Sequence, residues 1–149
     1  MKRTIALTVL ILLLGTTAAF GQQRFGVGVI AGQPTGVTAK LWLGSRASID
    51  AAVAWSFLHS GSMYMHLDFQ YHSFQGEGYT PDVLGFFVGL GTRFLVADYL
   101  HFGLRLPFGL IYPFRNAPLD VFLELAPAIE FYPYATLSGG AVLGMRVYF

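Results

Sequence analysis

Leu119-Asp120-Val121-Phe122-Leu123-Glu124-Leu125 sorts its side chains by parity. Leu119, Val121, Leu123 and Leu125 share one face of an extended chain, and Asp120, Phe122 and Glu124 share the other, because successive residues of a β-strand point to opposite sides. A half-buried strand of a soluble sheet alternates too. The size, continuity and number of the apolar faces elsewhere in the chain separate the two readings.

The same sorting recurs along the sequence. Val37, Ala39, Leu41 and Leu43 oppose Lys40 and Trp42; Ile49, Ala51, Val53, Trp55 and Phe57 oppose Asp50 and Ser56; Met63, Met65, Leu67, Phe69 and Tyr71 oppose Tyr64, His66, Asp68 and Gln70. Phe86, Val88, Leu90 and Phe94 oppose Phe87 and Arg93, Leu100 to Leu106 oppose His101 and Arg105, and Leu143, Met145, Val147 and Phe149 oppose Arg146 and Tyr148. The pattern predicts eight strands, at Phe25–Gly32, Gly36–Leu43, Ala47–Phe57, Met63–His72, Leu84–Leu95, Tyr99–Tyr112, Leu119–Ile129 and Leu137–Phe149. Turn residues lie between them: Gln33-Pro34-Thr35, Gly44-Ser45-Arg46, Ser60-Gly61-Ser62, Gly76 to Asp82 and Asn116-Ala117-Pro118. Pro107 and Pro127 fall within strands six and seven, where each removes a ladder donor, so bulges or early strand ends are expected there.

Charged residues make up 11% of the chain and aromatic residues 16%. A soluble protein carries about 25% charge. The interior of an eight-stranded barrel holds only its own modest side chains, so these long apolar faces have to point outward. With no water in the hydrocarbon, a closed barrel is the one sheet that satisfies every backbone group. The predicted fold is therefore all-β: a closed antiparallel transmembrane β-barrel of eight strands with up-and-down topology.

Turned inward, Lys40, Arg93, Arg105 and Arg146 balance Asp50, Asp68, Asp120 and Glu124, with His66 and His101 adjustable among them. Buried charge is tolerable when paired and hydrogen-bonded, which predicts a lumen ion-pair network of these ten residues. Arg24, Arg46, Glu77, Asp82, Asp98, Arg115 and Glu130 are assigned to turns or strand ends. Inward glycines, Gly89, Gly91, Gly103 and Gly144 among them, leave room for Trp42, Phe87, Tyr64 and the arginines. The expected lumen is a plug of side chains.

Residues 1–21 read as a secretory signal peptide: Lys2 and Arg3, an apolar run from Ile5 to Leu14, then Thr17-Ala18-Ala19-Phe20-Gly21. Cleavage after Gly21 leaves the barrel domain at 22–149, and cleavage after Ala19 is also open. The apolar run is far shorter than the roughly 20 residues of a membrane helix. Nine basic residues less Lys2 and Arg3 leave seven against eight acidic ones. This near-neutral chain offers no basic patch to a nucleic acid. It has no cysteine, which excludes lipoprotein anchoring, thiol catalysis and disulfide staples.

Gly144-Met145-Arg146-Val147-Tyr148-Phe149 resembles the terminal signal by which outer-membrane assembly machinery recognises its clients, with Gly144, Val147 and Phe149 at the signal positions. Val142 stands where that signal has a polar residue. The stretch LPFGLIYPFRNAPLDVFLELAP, Leu106 to Pro127, resembles a family of small eight-stranded outer-membrane barrels of unassigned activity, grouped around spirochaete examples. More loosely, the whole domain is similar to OmpA and OmpX membrane domains. These resemblances imply a Gram-negative-type outer membrane, contact with its lipid and passage through the barrel-assembly machinery; they imply no cofactor and no reaction.

Ser56, His59, Ser60, His66, Asp68, His72 and Ser73 are the raw material for a lipid-modifying enzyme. A nucleophile needs a base within reach and an acid to orient it. His66 and Asp68 share the inward face and could meet Ser56 across strands, and a structural lumen network is the simpler account of all three. His66 and His72 face one way but stand too far apart to share an ion without a third ligand. The expected role is structural or surface interaction, without catalysis, metal or cofactor; a narrow channel is the alternative and a lipid-modifying enzyme the third reading. External ligand and protein partner are left open.

Overall fold

The computed structural model describes residues 24–149 apart from 57–60 and 77. Residues 1–21, predicted to be a signal peptide, and the His59-Ser60 pair lie outside the described residues, as does the side chain of Ser56. Nine β elements follow one another: β1 Phe25–Gln33, β2 Thr35–Trp42, β3 Ala47–Ser56, β4 Ser62–Ser73, β5 Gly85–Val96, β6 Leu100–Arg105, β7 Phe108–Pro113, β8 Leu119–Tyr132 and β9 Thr136–Tyr148. Each pairs antiparallel with its sequence neighbours in the wall, and β1 pairs β9 from Gly26↔Tyr148 to Gln33↔Ala141, closing the ring. β6 and β7 are two pieces of one wall strand. The result is the expected closed barrel of eight wall strands.

The interruption falls at Leu106-Pro107. Arg105 pairs with Gly91 and Ala128 before it, and Phe108 with Val88 and Leu125 after it, which is one unbroken register on both sides. The expected bulge is therefore absent at Pro107, and the loss is confined to hydrogen bonds. Gly89 N–H donates to the Pro107 carbonyl at 2.7 Å and Leu106 N–H to the Pro127 carbonyl at 2.9 Å, and neither proline can return the bond. Pro127 stays inside β8, which runs on to Tyr132. A register shift does occur nearby, between Phe102 and Gly103 against β8.

Parity is kept throughout the wall. On β8, Asp120, Phe122, Glu124, Ala126, Ala128 and Glu130 are buried, while Leu123, Leu125 and Ile129 are exposed. On β9 the contrast is widest: Leu143 is 61% exposed and Arg146 1%. The buried face of this protein is its polar one.

The longest connection, from Phe74 to Leu84, lies at the end of the barrel that holds both termini. It folds back over the mouth: Tyr79 N–H donates to the Ser45 carbonyl at 2.9 Å, Arg46 Nη2 to the Gly76 carbonyl at 2.7 Å, and Asp82 N–H to the Pro113 carbonyl at 2.7 Å. Gly78, at φ 128°, presses against Ser45, a position with neither the backbone angle nor the space for a side chain. Phe74 and Tyr79 meet at 5.8 Å between centroids, and Tyr79 lies 5.1 Å from Trp42 and 6.4 Å from Tyr148. An aromatic layer thus stoppers this end.

Candidate functional site

Above the aromatic layer the lumen is filled by charge. Asp50 on β3 receives Arg146 Nη2 at 2.5 Å and faces Lys40 Nζ at 3.6 Å. Asp120 accepts from the Tyr148 hydroxyl at 2.6 Å and lies 4.0 Å from Arg146 Nη1. Arg105 binds Glu124, faces Asp68 at 3.3 Å through Nε and donates to the Tyr64 hydroxyl at 2.5 Å. Gln70 ties the two halves, accepting from Lys40 at 2.7 Å and donating to Glu124 at 3.3 Å. Arg146 also lies over the Phe122 ring, 3.7 Å from its centroid, and Gly144 leaves the space that ring fills. Gly144 therefore has a packing role of its own.

Asp50 and Asp68 are direct cross-strand partners, a like-charge pairing that destabilises an antiparallel ladder unless cations intervene. His66 Nε2 sits between them, 3.4 Å from Asp50 and 3.5 Å from Asp68. Asp50, His66 and Asp68 are also the grouping among the described residues that comes nearest to a metal-ligand set, their ligand atoms within 4.8 Å of one another. Each already faces a cation: Asp50 faces Arg146 and Lys40, Asp68 faces Arg105, and His66 Nδ1 lies 2.6 Å from Arg105 Nη1. That last contact also occupies the nitrogen a catalytic base would turn toward a nucleophile.

A second cluster lies above Tyr64, whose ring carries Arg93 at 5.0 Å. Arg93 reaches Glu130 at 3.3 Å and donates to Ser138 Oγ at 2.8 Å; Ser138 donates to Glu130 at 3.1 Å, and His101 Nδ1 lies 3.2 Å from the other Glu130 oxygen. Here the sequence reading needs correction. Glu130, assigned to a strand end, is buried on the inner face of β8 because that strand continues past Ile129. Arg93 pairs with it, so the central acidic residues Asp50, Asp68, Asp120 and Glu124 face three basic side chains, Lys40, Arg105 and Arg146, and the four-against-four balance fails.

Over this cluster the lumen widens into a vestibule of about 510 Å³, floored by Tyr64, His66, Arg105 and Glu124 and rimmed by Pro34, Asp98 and Tyr99. Its mouth is at the end opposite the termini. Beneath the floor, Arg146, Lys40, Asp50, Asp68, Asp120, Gln70 and His72 are each less than 2% exposed. A water-filled passage would leave its lining accessible to water, so the vestibule is blind. His72, noted in the sequence only as a distant partner for His66, lies in the lower wall, 4.4 Å from the Trp42 ring and 3.1 Å from Lys40 Nζ.

Outside the strands, burial and the Asp120 carboxylate push the Tyr79 phenol up to about 12 from 10.0. The folded loop holds this proton more tightly than an unfolded one, so its contribution is complete below pH 10 and is lost as pH rises through 12. The absorbance difference between the wild type and Tyr79→Phe is expected to show tyrosinate only toward pH 12. Ionisation already at pH 10 would mean that the loop leaves Tyr79 in water.

The architecture defines a class: small closed β-barrels turned inside out, with polar side chains as the core and apolar ones as the surface. The chain is similar to the crystal structure of the N-terminal β-barrel domain of Pseudomonas aeruginosa OprF, with a TM-score of 0.61 and 14% identity over 87% of this chain and 100% of that one. At that identity the likeness establishes the fold. No family model matches the chain, and neither does any curated protein.

Proposed function

We propose that this protein is an integral outer-membrane barrel with a sealed lumen and a structural or surface-interaction role. The single observation that carries the reading is the outward belt of large apolar side chains around a charged, water-excluded centre. On β8 that belt runs from Leu119 to Phe131, about 40 Å of strand and about 30 Å of height at a tilt of roughly 40°. This matches a hydrocarbon layer of about 25–30 Å. Among the described residues no helix is long and apolar enough to cross a membrane. The OprF domain's barrel supports the same reading at the level of fold, and the spirochaete-type resemblance of Leu106 to Pro127 belongs to it.

Export through residues 1–21 and recognition of the last strand by assembly machinery complete the proposal. β9 closes the ring, and it leaves Val147 and Phe149 exposed on the outer face. The role is non-catalytic: the His66 ring is committed to Arg105 and two aspartates.

Fractionation and electrophoresis test the reading. The protein is expected in the outer-membrane fraction, with a folded band that shifts on boiling and resists protease in detergent. Planar bilayers at high salt are expected to show no conductance steps. Recovery from the soluble periplasm would refute the membrane assignment, and regular conductance steps would replace the sealed barrel with the narrow channel.

A further inference from the structure

The lumen holds five acidic side chains, Asp50, Asp68, Asp120, Glu124 and Glu130, against four basic ones, Lys40, Arg93, Arg105 and Arg146. Two of the three lumen histidines are turned to basic groups. Arg105 Nη1 lies 2.6 Å from His66 Nδ1, and Lys40 Nζ lies 3.1 Å from His72 Nε2. Arginine and lysine only donate, so both rings accept there and are neutral. His101 is different: its Nδ1 faces a carboxylate, Glu130, and its side chain is 22% exposed at the vestibule wall.

The mouth adds to the imbalance. Asp98 lines it, exposed, and no ion pair reaches it among the described residues. By sequence, the described connecting segments at this end, 33–35, 97–99 and 133–135, contain no other Asp, Glu, Lys or Arg. The arginines on the vestibule wall are already engaged, Arg93 with Glu130 and Ser138 and Arg105 with Glu124 and Tyr64, so an anionic ligand meets no free cation. Ile30 and Val142, on the paired strands β1 and β9, give the cavity an apolar side. Its volume of about 510 Å³ is that of a small-molecule site.

We propose that the vestibule binds a small organic cation, a protonated amine on an apolar body, with the ammonium against Glu130 beneath Asp98 and the body on Ile30 and Val142. His101 on β6, Arg93 on β5, Ser138 on β9 and Asp98 in the β5–β6 turn surround the ammonium position.

The test is calorimetric titration of the full barrel in detergent, its fold verified by the heat-modifiable band, against empty micelles. Phenethylamine is the probe and phenylacetate its anionic counterpart. Phenethylamine is expected to bind at pH 8 and phenylacetate not to bind. Glu130→Gln, which keeps the shape of the side chain, is expected to lose at least about tenfold. No amine binding by verified barrel, equal binding of phenylacetate, or undiminished binding by Glu130→Gln would overturn the site. None of these outcomes bears on membrane location, which rests on fractionation.

Discussion

An Arg146→Met barrel is expected to lose about 3–5 kcal/mol of stability, read as a large fall in the urea midpoint of the folded, reconstituted protein. Arg146 is 1% exposed, lies 2.5 Å from Asp50 and 4.0 Å from Asp120, and donates to Thr38 at 3.2 Å. Methionine keeps an unbranched stem and removes the guanidinium, with its charge, its hydrogen bonds to Asp50 and Thr38 and its contact over Phe122. Asp50 then keeps Lys40 at 3.6 Å, and Asp120 keeps only the Tyr148 hydroxyl. The cost comes from an uncompensated carboxylate, so Arg146→Met combined with Asp120→Asn is expected to recover part of it. A midpoint unmoved by Arg146→Met would mean that water reaches these groups and the lumen is wet.

The second large effect lies on the outer face. Leu123 is in the middle of β8, opposite Leu110 and Leu143, and 47% exposed. Leu123→Arg is expected to cost about 2–4 kcal/mol in lipid vesicles, against about 0–1 kcal/mol near an interface. Leu137, 82% exposed at the start of β9, supplies the comparison, and Leu137→Arg is expected to be nearly neutral. Urea unfolding of the two variants side by side reads the difference. Equal costs would mean that the belt does not sit across a hydrocarbon layer.

Parity is a local property, and it made the wall legible in the sequence. A strand's inner and outer sets can be read from seven residues, as from Leu119 to Leu125, and the eight predicted spans fall on the eight wall strands. What meets what across the lumen is not local. It depends on strand stagger, which places Arg93 against Glu130 rather than among the central acids, and on how far β8 runs, which is three residues past the predicted end at Ile129. Proline's missing donor is visible in sequence; that register persists on both sides of Pro107 depends on its neighbours. Nor did the polar count of Phe74 to Leu84 reveal that this connection folds inward. Its two aromatic residues, Phe74 and Tyr79, were the available signal.

The register of the ring has a further meaning when set beside the charges. Sliding a strand by two residues keeps its apolar side chains on the outer face, so the in-and-out pattern distinguishes odd from even but is blind to position. Position is read by the lumen: Asp50 on β3 finds Arg146 on β9, and Asp68 on β4 finds Arg105 on β6, only when the strands between them are correctly placed. Since Arg146 belongs to the final strand, Asp50 and Asp120 gain it only once the last strand is in register. The charges therefore check the spelling of the barrel, and a misaligned ring leaves buried charges unmatched.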